Sequence, residues 1–203
     1  MTSAGAGASN GFAFTPENRA KADKFIARYP KGRQASAVLA LLDLAQRQSG
    51  GWLPRPAIEH VAEVLDMPFM RAFEVATFYT MFNLKPVGNY LIQLCRTTPC
   101  WLRGSDDLRA ACQKKLGVGL RETSADVKFT RVEVECLGAC VNAPVVQIND
   151  DFYEDLTPEK MEDIIERLGR GEKVPPGPQI KRLSSAPEGG LTTLIETREG
   201  ETA

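Results

Sequence analysis

NYLIQLCRTTPC (residues 89–100) and ECLGACVNAP (residues 135–144) decide how this chain is read. In the first, Asn89-Tyr-Leu-Ile-Gln-Leu reads as a strand that runs straight into Cys95. In the second, a strand within 127–135 ends directly at Cys136. Between them these stretches hold four of the five cysteines, as two pairs. Cys95 and Cys100 have four residues between them, Cys136 and Cys140 have three, and 35 residues separate the pairs.

Between the pairs, residues 104–116 (GSDDLRAACQKKL) predict a helix. Ser105 suits its N-cap, the aspartates its positive N-terminus, and Lys114 and Lys115 its C-terminus, with Gly117 as its stop. Alternation in the second strand is imperfect, because Val127 and Phe129 share one parity and Val132 and Val134 the other. A bulge or a late strand start accounts for that. Val145–Ile148 and Phe152-Tyr153 predict a hairpin around Asn149-Asp150-Asp151. Thr157-Pro158 opens a last helix with Met161, Ile164, Ile165 and Leu168 inward and Gly169 and Gly171 at its end. The order β-α-β-β-β-α predicts a parallel pair with a right-handed crossover, two added antiparallel strands, and helices covering the sheet. That is the element order of a minimal thioredoxin-like domain, and it brings both cysteine pairs to one end of the sheet.

Residues 14–84 predict four short helices in a small bundle, over roughly 16–29 and 34–48 and opening at Pro56 and Pro68. Thr15-Pro16-Glu17 reads as cap, first-turn proline and first-turn acid. Val38, Leu41, Leu42 and Ala45 fall on one face of the second helix. Residues 1–13, rich in Gly, Ala and Ser, are expected to be disordered. Residues 171–203 carry Pro175, Pro176, Pro178 and Pro187 with little periodicity. They are expected to be an extended arm, ordered only against a partner if at all, with a free disordered tail as the alternative. The whole is α/β (α+β): 1–13 tail, 14–84 helical bundle, 85–170 thioredoxin-like domain, 171–203 arm.

Four thiolates are soft, charged ligands suited to an Fe–S cluster or to Zn²⁺. Both spacings fall within the range of structural zinc pairs, so spacing alone leaves zinc open. The flanking residues favour [2Fe–2S]. Gly138 and Ala139 leave room for backbone N–H groups near the sulfurs, and Pro99 and Pro144 stiffen the two loops. A thiol–disulfide enzyme needs C-x-x-C at a helix start, which neither pair has. Cys112, mid-helix beside Ala110 and Ala111, reads as a small buried residue. His60 is the only histidine, lies between Glu59 and Glu63, and reads as a surface residue. A Rieske centre, which needs two histidines, is thereby excluded. Trp52 is expected to plug the bundle, and Trp101 to shield the centre from water. Glu133, Glu135, Asp150 and Asp151 would lower a cluster's potential if they lie close, and Arg96 and Arg103 would oppose them.

A net charge of −1 with ordinary composition gives no support to nucleic-acid binding. The longest apolar run, ASAVLALLDLA (35–45), is broken by Asp43 and is too short to cross a bilayer. MTSAGAGASNG has neither the basic nor the apolar region of a secretory signal. The expected location is therefore the cytosol, or the periphery of a membrane complex. GAGASNG (5–11) and GVG (117–119) lack the strand-to-helix setting of a nucleotide loop. No catalytic residue is assigned.

The C-x4-C pair, CLGACVNAP (136–144) and VVQINDDFYEDLTP (145–158) resemble the peripheral [2Fe–2S] subunits of respiratory NADH:quinone oxidoreductase (complex I). GWLP (51–54) and ATFYTMF (76–82) extend the resemblance, which runs from about residue 14 to 195. It implies one [2Fe–2S] cluster held by Cys95, Cys100, Cys136 and Cys140. It also implies docking onto a flavoprotein subunit that carries FMN and the NADH site, beside a neighbouring Fe–S subunit. The cluster is then expected near the flavin, off the main chain of clusters, holding one electron while FMN passes its two on singly. The implied location is peripheral, on the cytoplasmic side of a bacterial inner membrane or the matrix side in mitochondria. Related subunits serve NAD-linked hydrogenases and formate dehydrogenases. The tail PGPQ…RLSSAPEGGLTTL (176–194) resembles the arm of the respiratory version.

Overall fold

The computed structural model describes residues 11–190, 192 and 193. They divide into two units, one ending at Val87 and the other starting at Gly88.

The first unit is helical. In α1 (Pro16–Ile26) the Thr15 hydroxyl accepts the Asn18 N–H at 3.3 Å and Pro16 fills the first turn. The helix stops before the expected residue 29, because Tyr29 precedes Pro30 and that position disfavours helical backbone. Residues Gln34–Ala37, expected as α-helix, wind as a 3-10 turn ahead of α2 (Val38–Gln48). Proline opens the next two helices: Pro56 in the first turn of α3 (Arg55–Val64), and Pro68 as the cap of α4 (Phe69–Phe78). Leu41, Leu42 and Ala45 of α2, Ile58 and Val61 of α3, and Ala72 and Ala76 of α4 form the core. Each fully buried Leu or Ile there contributes about 1.5–3 kcal/mol over leaving it exposed. The plug of the α2–α3 loop is Leu53, which is buried, while Trp52 is only partly covered.

Two further expectations fail in this unit. Phe12, which composition assigned to a disordered tail, packs edge-on against Phe14 and His60, with ring centroids 5.7 Å away in each case. Two aromatic rings supply enough apolar area to dock a stretch otherwise built of small residues. His60, expected at the surface, is partly buried beneath them, and its Nε2 accepts the Phe14 N–H at 3.5 Å. Residues 1–10, the rest of the expected tail, lie outside the described residues.

The second unit is a six-stranded sheet of order β2-β3-β1-β4-β5-β6. Its strands are β1 (Tyr90–Cys95), β2 (Glu122–Thr123), β3 (Phe129–Val134), β4 (Val146–Ile148), β5 (Asp151–Glu154) and β6 (Gly177–Pro178). β1 lies parallel to β3 in the register Cys95 to Val134, and antiparallel to β4 in the register Leu94 to Val146. Between β1 and β2 come α5 (Thr98–Leu102), which periodicity did not predict, and α6 (Ser105–Leu116). Gly104, rather than Ser105, caps α6. β3 starts late, at Phe129, with Val127 before it at a φ of 56°; within the strand Phe129 still faces the helix-covered core while Val132 and Val134 point to the other face.

α6 and α7 (Pro158–Gly169) pack with Ile92 and Leu94 through Leu108, Cys112, Met161, Ile164 and Ile165. Because strand side chains alternate, Cys95 points to the opposite face. There it joins Cys100, Ala143 and Val145, with Leu137 and Phe152 packed against them. The long helices thus cover one face, and the other carries the cysteines.

The arm differs most from expectation. β6 pairs parallel with β5, Tyr153 to Gly177 and Glu154 to Pro178. Arg182 then forms a two-point ion pair with Asp155, Nε to Oδ2 at 2.9 Å and Nη2 to Oδ1 at 2.7 Å, with both side chains over nine-tenths buried. The arm is therefore ordered on its own domain through these contacts; Leu191 and residues 194–203 lie outside the described residues. No helix among the described residues is long and apolar enough to cross a membrane.

Candidate metal centre

Three parts of the fold place the four cysteines. Cys95 is the last residue of β1, and its backbone is held on both sides: its N–H donates to Val145 O at 3.3 Å, and the Arg96 N–H donates to Val134 O at 3.3 Å. Cys100 lies in α5, opened by Pro99, and is buried like Cys95. Cys136 and Cys140 flank a loop after β3, and both are exposed. Gly138 turns that loop at a φ of +84°, a conformation that side chains resist, and its N–H donates to Cys136 Sγ at 3.4 Å.

The sulfurs of Cys136 and Cys140 stand 3.5 Å apart. Electrostatic interactions tie Cys95 to Cys100, Cys136 and Cys140, so the fold gathers all four into one group. Each pair consists of a thiol favouring its charged form and a partner that donates to it. At Cys95 burial pushes the thiol up, but the Thr97 hydroxyl and N–H, the Leu137 N–H and Cys100 together outweigh it and lower it. Burial and then donation to Cys95 push Cys100 up to about 12. The Gly138 N–H, then Cys140 and Thr97, lower Cys136, while donation to Cys136 raises Cys140. Metal binding takes thiolates, so it would release the protons that these thiols hold.

Among the described residues, no three His, Cys, Asp or Glu side chains converge as a single-ion site requires. The donor set is two pairs of thiols, one buried and one at the surface. Four thiolates in two pairs are the donor set of a [2Fe–2S] cluster, with two protein thiolates per iron, and of a tetrahedral zinc ion alike.

Other predicted residues fall as follows. Cys112 is fully buried in the core beside α7, and burial pushes its thiol up to about 12. Trp101 stands at the edge of the centre. It is 56% exposed, its Nε1 donates to Asp106 Oδ2 at 3.0 Å, and it edges a 190 Å³ cavity beside Cys95, Arg96 and Glu133. Arg96 and Glu133 pair at 3.5 Å, so the nearest opposing charges largely cancel. Asp150 and Asp151 lie at the far end of the sheet, where the Asn149 N–H meets Leu91 O. Cys95 lies four residues along β1 from that point, about 13 Å, beyond the range at which surface charges act strongly. Thr97 and Arg182 were missed from the sequence. A hydroxyl two residues after a ligand is a weak local signal for the first, and nothing local marks the second.

The model of the thioredoxin-like [2Fe–2S] ferredoxin family matches residues 22–169, most of the chain. The chain belongs to the thioredoxin-like [2Fe–2S] ferredoxin family. Among curated members, it is 66% identical over 157 residues to an NADH-quinone oxidoreductase subunit of Rickettsia bellii, covering 77% of this chain and 94% of that one. It is 48% identical over 191 residues to a mitochondrial NADH dehydrogenase [ubiquinone] flavoprotein 2 of Dictyostelium discoideum, covering 94% of this chain and 77% of that one. Among solved structures, a chain of an NAD⁺-reducing [NiFe]-hydrogenase matches with a TM-score of 0.57 at 20% identity. That match covers 64% of this ferredoxin-family chain but only 23% of the hydrogenase chain, and it speaks for the fold alone.

Proposed function

We propose that Cys95, Cys100, Cys136 and Cys140 hold one [2Fe–2S] cluster, and that the chain is the electron-transfer subunit of the NADH-oxidising module of an NADH:quinone oxidoreductase. The observation that carries this is the gathering of two cysteine pairs at the end of β1, one pair buried and one exposed. Such a cluster supplies one-electron chemistry. The chain's own part is to hold it and to adjust the charge around it. Thr97, Leu137 and Gly138 direct hydrogen-bond donors at the sulfurs, which favours added negative charge. The buried pair anchors the centre to the sheet, and the exposed pair leaves an edge open to a partner.

In this reading the partner is the flavoprotein subunit that binds FMN and NADH, with a second Fe–S subunit nearby. The respiratory assignment is favoured over a hydrogenase or formate dehydrogenase diaphorase subunit by the 66% identity to a respiratory relative. The location is peripheral, on the cytoplasmic face of a bacterial inner membrane or the matrix face of a mitochondrial one.

Anaerobic purification tests the centre. About two iron and two sulfide per chain are expected, with an EPR signal from one unpaired electron after dithionite. One zinc per chain and no visible absorbance would overturn it. Co-purification with a flavoprotein subunit that oxidises NADH tests the placement in the complex.

A further inference from the structure

We propose that the C-terminal arm is a clamp on the exposed cysteine loop, with Arg182 as its positioning residue; this rests on Cys136 and Cys140 being cluster ligands. Cys95 and Cys100 need no such device, because β1 and α5 hold them. The exposed loop has little of its own. It lies outside the sheet, and a 3-10 turn (Cys140–Asn142) follows it directly.

What fixes that turn comes from far along the chain. Arg182 Nη2 donates to Val141 O at 3.0 Å, one residue after Cys140. Asn142 is 1% exposed, and its Nδ2 donates to Ser184 O at 3.0 Å and to Glu154 Oε2 at 2.6 Å. The Asp155 N–H closes the same residue from the other side, donating to Asn142 O at 2.8 Å. Arg182 is itself immobilised, by Asp155 through two hydrogen bonds and by Ala186 O at 3.3 Å. β6 and the Gln179 N–H to Glu154 O bond at 2.9 Å deliver the arm to this place.

A guanidinium suits the task. Its planar fork satisfies both carboxylate oxygens of Asp155 and still presents an N–H to Val141 O. A lysine ammonium keeps the charge but not the two-point geometry. The arm is thus part of the metal centre's supporting shell, in addition to any surface it offers to a partner.

The test uses the full chain with its cluster, comparing the parent with Arg182→Leu, Arg182→Lys and Asp155→Asn. Cluster loss into EDTA should run about tenfold or more faster in Arg182→Leu, the scale of effect seen when outer-shell partners of metal ligands are removed. Its EPR line shape after dithionite should change, and Arg182→Lys should recover part of both. Decay and line shape identical to the parent would overturn the clamp. Hydrogen exchange on the cluster-free parent and Arg182→Lys separates this from the ligand assignment. The Ala143 and Asp155 amides, bonded to Cys140 O and Asn142 O, should exchange faster in the variant. Unchanged exchange sinks the clamp whatever the metal. A parent that takes up no iron, with exchange altered as expected, would instead overturn the ligand reading while the arm's hold on the loop stands.

Discussion

The Thr97 hydroxyl lies 3.4 Å from the Cys95 sulfur, and it reaches Cys136 as well, so one side chain touches both cysteine pairs. A donor to a ligand sulfur stabilises the reduced, more negative cluster. Thr97→Val should therefore lower the reduction potential while leaving the iron content intact. A differential of about 1 kcal/mol, the net contribution of an ordinary hydrogen bond, corresponds to about 40 mV for one electron. Thr97→Ser should keep the parent value. A redox titration followed by EPR decides, and equal potentials for the Val variant and the parent would refute the role.

The ligand assignment separates four cysteines from the fifth. Cys95→Ser and Cys136→Ser should abolish or strongly alter the visible and EPR spectra. Cys112→Ser should leave them unchanged, since Cys112 lies on the face of the sheet covered by α6 and α7. It should cost about 1–3 kcal/mol in urea unfolding, the cost of burying a hydroxyl without a partner. Loss of the cluster in the Cys112 variant would show the set to be wrong.

His60 makes stability depend on pH. Burial lowers its pKa below the usual 6.5, Glu63 opposes that and Arg19 adds to it. Its Nδ1 is buried without a hydrogen-bond partner among the described residues. The unfolded chain then takes up the proton more readily. The contribution is fully present above 6.5 and is lost as pH falls through the depressed folded value. Melting temperatures between about pH 7.5 and 5.5 should fall more steeply in the parent than in His60→Gln, because that window spans the histidine titration. Parallel curves would exclude His60 as the source.

Gly88 opens the second unit against its own sheet. Its N–H donates to Thr130 Oγ1 at 2.7 Å, and a Cβ there would meet Lys128 C and Phe129 N at 2.7 Å. Backbone cannot yield as a side-chain tip can. Gly88→Ala should therefore destabilise by about 1–3 kcal/mol, the usual cost of forced overpacking, read as a lower urea midpoint at unchanged slope.

Much of the fold was legible because its signals are local. The stripe Leu41, Leu42 and Ala45, the cap at Thr157 and the strand running into Cys95 each depend on residues within a few positions of one another. The readings that failed depended on distant neighbours. His60 looked exposed between two glutamates until Phe12 and Phe14, more than 40 residues earlier, covered it. Asp150 and Asp151 follow the second cysteine pair closely, but the hairpin carries them to the other end of the sheet.

By itself the sequence determined the four thiols, their grouping as two pairs and the strand endings that deliver one member of each. Those are properties of residue type and short-range periodicity. Tertiary structure alone decided that Cys95 faces away from the long helices, and that one pair is buried while the other is exposed. It also decided that the proline-rich arm folds back on its own domain. The arm has no periodicity to read, and its order comes from a buried ion pair between Arg182 and Asp155, 27 residues apart, which exists only once β5 has brought Asp155 into place.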